Sequence, residues 1–302
     1  MEAHWMVYWF MLPACIVIAA TAMATGISGT AMLTPFLILA FPLLSVPLLT
    51  TGQAIGMALF TEFFGFISGV IGYHQKKLID YRAAKKLLMV SIPTIIIFSL
   101  VSQYVPGLLM KIIYGIMMLG LAIYLGISAP GTVRNPKIKV LPEMVKRAPK
   151  QGTCEERVLT ASDGKKYQYE FCDQMSGKLM TGIGAAMEGL ISVGLGEFEM
   201  PHLVKQCKIP VAISAGISVF VIAVTVLAGS MTAIATLIKN EGVHSIPWNL
   251  IVYTIPGAVI GGQIGSRYQG RLSSETMERF ISVLFFFIGI AFLFTSLQAI
   301  RH

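Results

Sequence analysis

Long uncharged apolar runs recur along this chain, and two of them are broken at matching places by glycine and proline. The first break lies in Gly26-Ile-Ser-Gly-Thr-Ala-Met-Leu-Thr-Pro-Phe-Leu37, the second in Ser192-Val-Gly-Leu-Gly-Glu-Phe-Glu-Met-Pro-His-Leu203. Inside a bilayer each backbone polar group needs an internal partner. An interrupted helix therefore survives there only where it lines a cavity or is buried in protein. Two such breaks at corresponding places in two halves point to a transporter's binding site. The chain reads as a polytopic all-α membrane protein with its site at the paired breaks.

Hydrophobic residues make up 55% of the 302 positions and charged residues 13%, about half the charge of an ordinary soluble domain. Apolar runs fall at 5–24, 30–44, 48–73, 87–104, 108–128, 179–193, 198–206, 209–238, 247–266 and 278–299. Several pass the roughly 18 residues that mark a membrane span. The first run has no Lys or Arg before it and no small-residue cleavage site, so it is read as a span rather than a signal peptide.

The net charge of +8 would suit a nucleic-acid binder, but its distribution argues for membrane orientation. Seventeen of the 23 Lys and Arg lie in 74–86, in 129–178 or at Lys205 and Lys208. Those are the cytoplasmic loops that the positive-inside rule expects. No nucleic-acid partner is implied.

The two halves correspond beyond the breaks. Pro47 and Pro210 are 163 residues apart, as are Pro93 and Pro256, while Pro35 and Pro201 are 166 apart. Loop charge reverses between halves: 74–86 is basic and 104–111 nearly bare, whereas 239–247 is nearly bare and 267–279 basic. Equivalent loops then face opposite sides. The expected architecture is two inverted repeats, 1–128 and 179–302, each a broken hairpin plus three transmembrane helices. Both termini are placed outside the cell (plasma or inner) membrane. The arms 179–193 and 198–206 are short enough for a re-entrant second hairpin.

Residues 129–178 form a soluble insert, placed in the cytoplasm. Four prolines extend its first part, and Arg157–Phe171 reads as a β-hairpin turning at Asp163-Gly164. Cys154 and Cys172 flank the hairpin. They are read as reduced thiols in a cytoplasmic loop, the alternatives being a disulfide in an inverted topology or a weak metal or redox site.

Glu62, Glu188, Glu197 and Glu199 fall in predicted membrane segments. A charge at a bilayer centre costs roughly 2.5–3.5 kcal/mol on insertion scales, so such groups face cavities, pair, or stay protonated. Glu197 and Glu199 adjoin the second break and suit proton coupling or gating, with capping of broken-helix amides or an interfacial position facing water as the alternatives. Glu62 is the weaker candidate for the same role, facing a cavity or else hydrogen-bonded between helices. Gly26, Ser28, Gly29 and Thr30, with Thr34 close by, and Ser192, Gly194 and Gly196 offer hydroxyl and backbone donors able to form an oxyanion cradle. Small residues that merely let helices pack closely are the alternative. Thr51, Gln53 and Ser214 open the following spans and would add donors, unless they serve as caps. Arg267 reads as an interfacial anchor, His74 and His202 as interfacial, and Cys15 and Cys207 as packing residues. No cofactor, metal or catalytic motif is visible, and no enzyme activity is expected.

These segments resemble the TauE/SafE sulfite exporter family, also called the toluenesulfonate uptake permease family. Its members carry a Gly-x-Gly-Gly-Gly-x(4)-Pro-x-Leu signature early in each half. Here the copies are Gly26-Ile-Ser28-Gly29-Thr30…Pro35-Phe-Leu37 and Ser192-Val-Gly194-Leu-Gly196…Pro201-His-Leu203. Lys208-Ile-Pro210 and the Pro256-Gly-Ala…Gly-Gly stretch are similar too. The resemblance spans nearly all of the chain outside 129–178. Ser28 and Thr30 replace glycines of the pattern in the first copy, Ser192 and Leu195 in the second, and Glu197 and Glu199 replace apolar residues. The resemblance implies secondary transport of sulfite, a sulfonate or a related organosulfur anion, coupled to protons, at a midplane site. A cation or metal carrier using intramembrane carboxylates is the alternative within transport. A membrane scaffold or sensor acting through the insert is the alternative outside it.

Overall fold

The computed structural model describes residues 5–128, 153–173, 175–268 and 274–301. Much of the insert's proline-rich part, 129–152, lies outside the described residues, as does 269–273 with Arg271. After a short 3-10 turn at Trp5–Tyr8, the first half runs α1 (Met11–Thr25), α2 (Thr30–Pro35), a π-helical turn (Phe36–Ala40), α3 (Phe41–Leu43), α4 (Thr51–Gln75), α5 (Tyr81–Ser102) and α6 (Gly107–Ser128). The hairpin β1 (Thr153–Thr160) and β2 (Lys166–Asp173) follows. The second half runs α7 (Met175–Ile191), α8 (Leu195–Pro201), a second π turn (His202–Gln206), α9 (Val211–Glu241), α10 (Trp248–Tyr268) and α11 (Ser274–Arg301). Six helices among the described residues are long and apolar enough to cross a membrane. At 1.5 Å per residue, the second arm of each broken hairpin reaches only about 18–21 Å, short of a hydrocarbon core of about 30 Å.

Helix α5 begins six residues before the apolar run that signals it. Asp80 takes the N-cap position and accepts from the amides of Arg82 and Ala83 at 3.0 and 3.1 Å. That cap lets Arg82, Lys85 and Lys86 lie on a helix rather than in a loop, although a hydropathy reading stops at them.

The packing exchanges elements between halves. Helix α1 lies on α10, and α7 lies on α5; α6 packs on α11; α4 contacts α9 and α10, and α9 contacts α4 and α5. Matching α1 with α7, α4 with α9, α5 with α10 and α6 with α11 maps each pairing onto another or onto itself. Helices α4 and α9 are the most buried of the long spans and form the centre. Contact between α1 and α10 depends on Gly257, Gly261 and Gly265. A Cβ on them would stand 2.6, 2.4 and 2.3 Å from the carbonyl oxygens of Leu12, Ile16 and Ala20. Backbones come that close only over glycine.

The two hairpins return to opposite ends of the bundle. Phe41 and Val46, after the first, join a core with Ala54, Leu237, Ile246 and Leu250. Leu203 and Ile209, after the second, join Leu78, Ile79 and the β-hairpin residues Ala161, Tyr169 and Phe171. The loop 76–80, the insert and the end of α10 share this latter end. The Ser162 amide donates to Lys76 O at 3.0 Å, and the Lys76 ammonium donates to Ser266 O. The opposite end gathers Gly107 against Thr51, and Gln53 donating to Ser245 O at 3.0 Å.

The insert hairpin turns over 161–165, with Gly164 at φ 82° and its amide donating to Ala161 O. Register sets Cys154 opposite Cys172; their side chains lie outside the described residues. Arg157 clamps the hairpin to α5, with Nη1 2.6 Å from Asp80 Oδ2, while Tyr169 donates its hydroxyl to the same oxygen at 2.7 Å. Burial raises the Asp80 carboxyl, but the Arg157 guanidinium, Tyr169 and the Ala83 amide outweigh it and hold the group below its ordinary value.

Candidate functional site between the paired breaks

Each break is built the same way. Helix α1 ends at Gly26, φ 75°, whose amide donates to Ala22 O at 2.8 Å; α7 ends at Ser192, φ 55°, whose amide donates to Glu188 O at 2.8 Å. Left-handed backbone is free for glycine and costs other residues roughly 1–2 kcal/mol, so Ser192 is held there by its surroundings. A short helix then runs to Pro35 or Pro201, and a five-residue π turn follows each proline. Proline lacks the N–H for the regular ladder, which accounts for the widened turn just after it.

The two breaks touch. A Cβ on Gly196 would stand 3.0 Å from Ser28 N and 3.1 Å from Gly26 O. The hydroxyls of Thr34 and Ser192 are 2.8 Å apart, joining the first half to the second.

Three carboxyls converge there from three helices. Glu62 of α4 receives the Gly29 amide at 2.6 Å, the Ser28 hydroxyl at 2.7 Å and the Thr30 amide at 3.3 Å on Oε1. Its Oε2 lies 3.2 Å from Thr30 Oγ1. Glu188 of α7 reaches the same hydroxyls, Oε1 standing 3.1 Å from Thr30 Oγ1 and 3.2 Å from Ser28 Oγ, and accepts the Leu195 amide on Oε2 at 3.1 Å. Glu197 of α8 accepts the Gly194 amide at 3.1 Å on Oε2, while its Oε1 is buried without a partner. All three are buried, and each interacts electrostatically with another of them. The Tyr114 hydroxyl of α6 closes the cluster, donating to Ala31 O at 3.2 Å.

Beside Glu62 lies a narrow crevice of about 20 Å³. It runs between α1, α2, α4 and α10 and is lined mainly by apolar side chains such as Ile18, Met23 and Phe66, with Gly29 and Thr61 at the cluster.

The structure thus brings together Gly26, Ser28, Gly29, Thr30, Glu62, Ser192, Gly194, Gly196 and Glu197. Other expected residues stand apart. Thr50 and Gln53 form a capping box on α4, and the Gln53 amide goes to Ser245 O. Thr51 shares a separate crevice with Thr34, Lys111 and Tyr114. The Ser214 hydroxyl donates to Ile209 O at 3.2 Å. Glu199 is buried with neither oxygen partnered.

His202, expected at the interface, is 4% exposed. It fills the space above Gly177, its Nε2 3.5 Å from Cys207 Sγ. His74 and Arg267 are exposed, and Cys15 is buried. Glu188 was in view as an intramembrane carboxylate but not as a site residue. The signal that singles it out is its place one helical turn before the second break, where the first half has Ala22.

The family model described as Sulfite exporter TauE/SafE matches residues 11–292. The chain is similar to the probable membrane transporter protein YunE of Bacillus subtilis (strain 168), 21% identical over 240 residues, covering 80% of each chain. No solved structure matches.

Proposed function

We propose a function from the premise that the chain belongs to the Sulfite exporter TauE/SafE family and is a multi-pass membrane transporter. Its substrate is a small sulfur-containing oxyanion: sulfite, a sulfonate or a close relative. The observation that carries this reading is the convergence of Ser28, Gly29, Thr30, Gly194 and Leu195 donors at the contact between the two breaks. Such a nest of amides and hydroxyls suits the oxygens of an oxyanion. The exchanged packing of the two halves, with hairpins returning to opposite ends, supports an inverted repeat that exposes the site alternately. The end carrying the insert and 76–80 is the cytoplasmic one by its basic residues. Coupling is to protons, through Glu62, Glu197 and Glu199.

Counterflow in proteoliposomes with labelled sulfite, sulfate, thiosulfate and methanesulfonate, with and without a pH gradient, tests the reading. At least one of these anions exchanges. The proximity of Glu62, Glu188 and Glu197 favours a second reading, a cation carrier. Movement of a divalent cation with none of the four anions would establish that reading instead. In the variant E197Q/E199Q, exchange that survives while pH-driven accumulation disappears supports the coupling role. Unchanged accumulation removes those two residues from it.

A further inference from the structure

The donors that would cradle an oxyanion already hold the chain's own carboxyls. The Gly29 and Thr30 amides point to Glu62 and the Leu195 amide to Glu188, and the Ser28 and Thr30 hydroxyls lie between the two. A substrate cannot use those donors while the carboxyls do.

The hydrogens also need counting. Ser28 and Thr30 make five oxygen–oxygen contacts, one with each other and two each with Glu62 and Glu188. Two hydroxyls supply two hydrogens. Without a carboxyl hydrogen, three of the five would set lone pair against lone pair. Among the described residues no cation answers the pair from the packed elements: the titratable groups facing it are Glu197 of α8 and Tyr114 of α6. The buried, unpartnered Glu197 Oε1 marks a further polar position open to a ligand hydrogen.

We infer that Glu62 and Glu188 form a shared-proton pair that acts as a tethered anion, occupying the oxyanion cradle until protonation releases it to the substrate. This rests on the anion-transport reading and adds Glu188 to the machinery. In the occupied state the pair holds one hydrogen and one negative charge. A proton arriving from the aqueous side adds to the remaining carboxylate. The neutral pair no longer holds the amides against a charged competitor, and the oxyanion takes them. On the far side the anion leaves, the carboxylate reforms, the proton departs, and the amides return to Glu62 and Glu188. One proton travels with each anion. The pair joins α4 of the first half to α7 of the second, so the same exchange changes the bond between halves.

The test measures binding of labelled methanesulfonate, whose charge is constant over the range, and of sulfite, to the purified full chain between pH 5.5 and 8. A pH-sensitive dye in weak buffer reads proton uptake. For the wild type, the apparent Kd rises about tenfold per pH unit above the pair's titration, with one proton taken up per anion bound. In E62Q/E188Q the slope and the uptake vanish; E62Q and E188Q singly report which carboxyl carries it. Anion binding with no proton uptake in the wild type overturns the inference and needs no variant to fold. So does a wild-type slope retained in E62Q/E188Q, or binding that depends on sodium instead of pH. If no anion binds at any pH while a divalent cation does, the anion reading falls as well, which separates the two failures.

Discussion

Replacing Arg157 by Met should undock the insert hairpin from α5 without unfolding the bundle. Arg157 is 11% exposed in its side chain and Asp80 8%, with 2.6 Å between Nη1 and Oδ2. Removing one member of a buried pair costs about 3–5 kcal/mol because the other charge is left behind. Asp80 keeps the amides of Arg82 and Ala83 and the Tyr169 hydroxyl. The loss therefore falls below that range, at about 2–3 kcal/mol. Methionine retains most of the stem that packs by the Phe171 ring, 4.9 Å from the guanidinium carbon in the native chain. A loss of 2–3 kcal/mol raises local opening by about 30- to 150-fold. The reporter is the Ser162 amide, bonded to Lys76 O across the docking surface. Its hydrogen-exchange protection should fall by that factor while amides in the middle of α4 and α9 keep theirs. D80N and the double variant complete the cycle, with a coupling of about 1–2 kcal/mol. A fall at Ser162 of less than threefold, with α4 and α9 intact, would refute the argument that this pair holds the hairpin.

Four further outcomes follow from the packing. The Asp80 carboxyl is held below its ordinary value of about 3.9, so its contribution is complete above that pH and is lost as pH falls through the lower folded value. Ser162 protection should be flat from pH 5 to 8 and drop only in acid; a drop near neutrality would contradict this. Gly261→Ala places a methyl 2.4 Å from Ile16 O and should cost about 1–3 kcal/mol of overpacking, partly offset by about 1 kcal/mol of helix propensity. A lower melting temperature in detergent checks it, and a higher one speaks against it. Lys77 is exposed at φ 55°, and Lys77→Gly should relieve ~1 kcal/mol of left-handed strain, seen as a raised melting temperature. Deleting 135–170 removes Ala161 and Tyr169 from the core that covers Leu78 and Ile79. Melting temperature should fall while anion counterflow persists; loss of counterflow in a folded variant would contradict the insert's being dispensable for transport.

Local and periodic features were legible in the chain itself. The apolar runs, the breaks at 26–29 and 192–194, the hairpin turn at Asp163-Gly164 and the spacing of Pro35 and Pro201 depend on residues near one another. Each follows from backbone sterics or from the need to satisfy amides in an apolar medium. The start of α5 was misread because hydropathy sees the charges at 82–86 and not the Asp80 cap before them.

What the sequence left undecided was which donor meets which acceptor. Gln53 and Ser214 had the right chemistry for the cradle, but the ends of α4 and α9 hold them as a cap and a carbonyl partner. Glu188 stood one helical turn before the second break, but its partners Ser28 and Thr30 came into reach only in the tertiary structure. Ser28 and Glu188 are 160 residues apart, and nothing local fixes their separation. It is set by where helix backbones can touch: Gly257, Gly261 and Gly265 under α1, and Gly196 against Gly26 and Ser28. The chain thus determined that two broken hairpins would exist and what groups they would carry. Only close packing of the two halves decided that the breaks meet, and that carboxyls already lie among their donors.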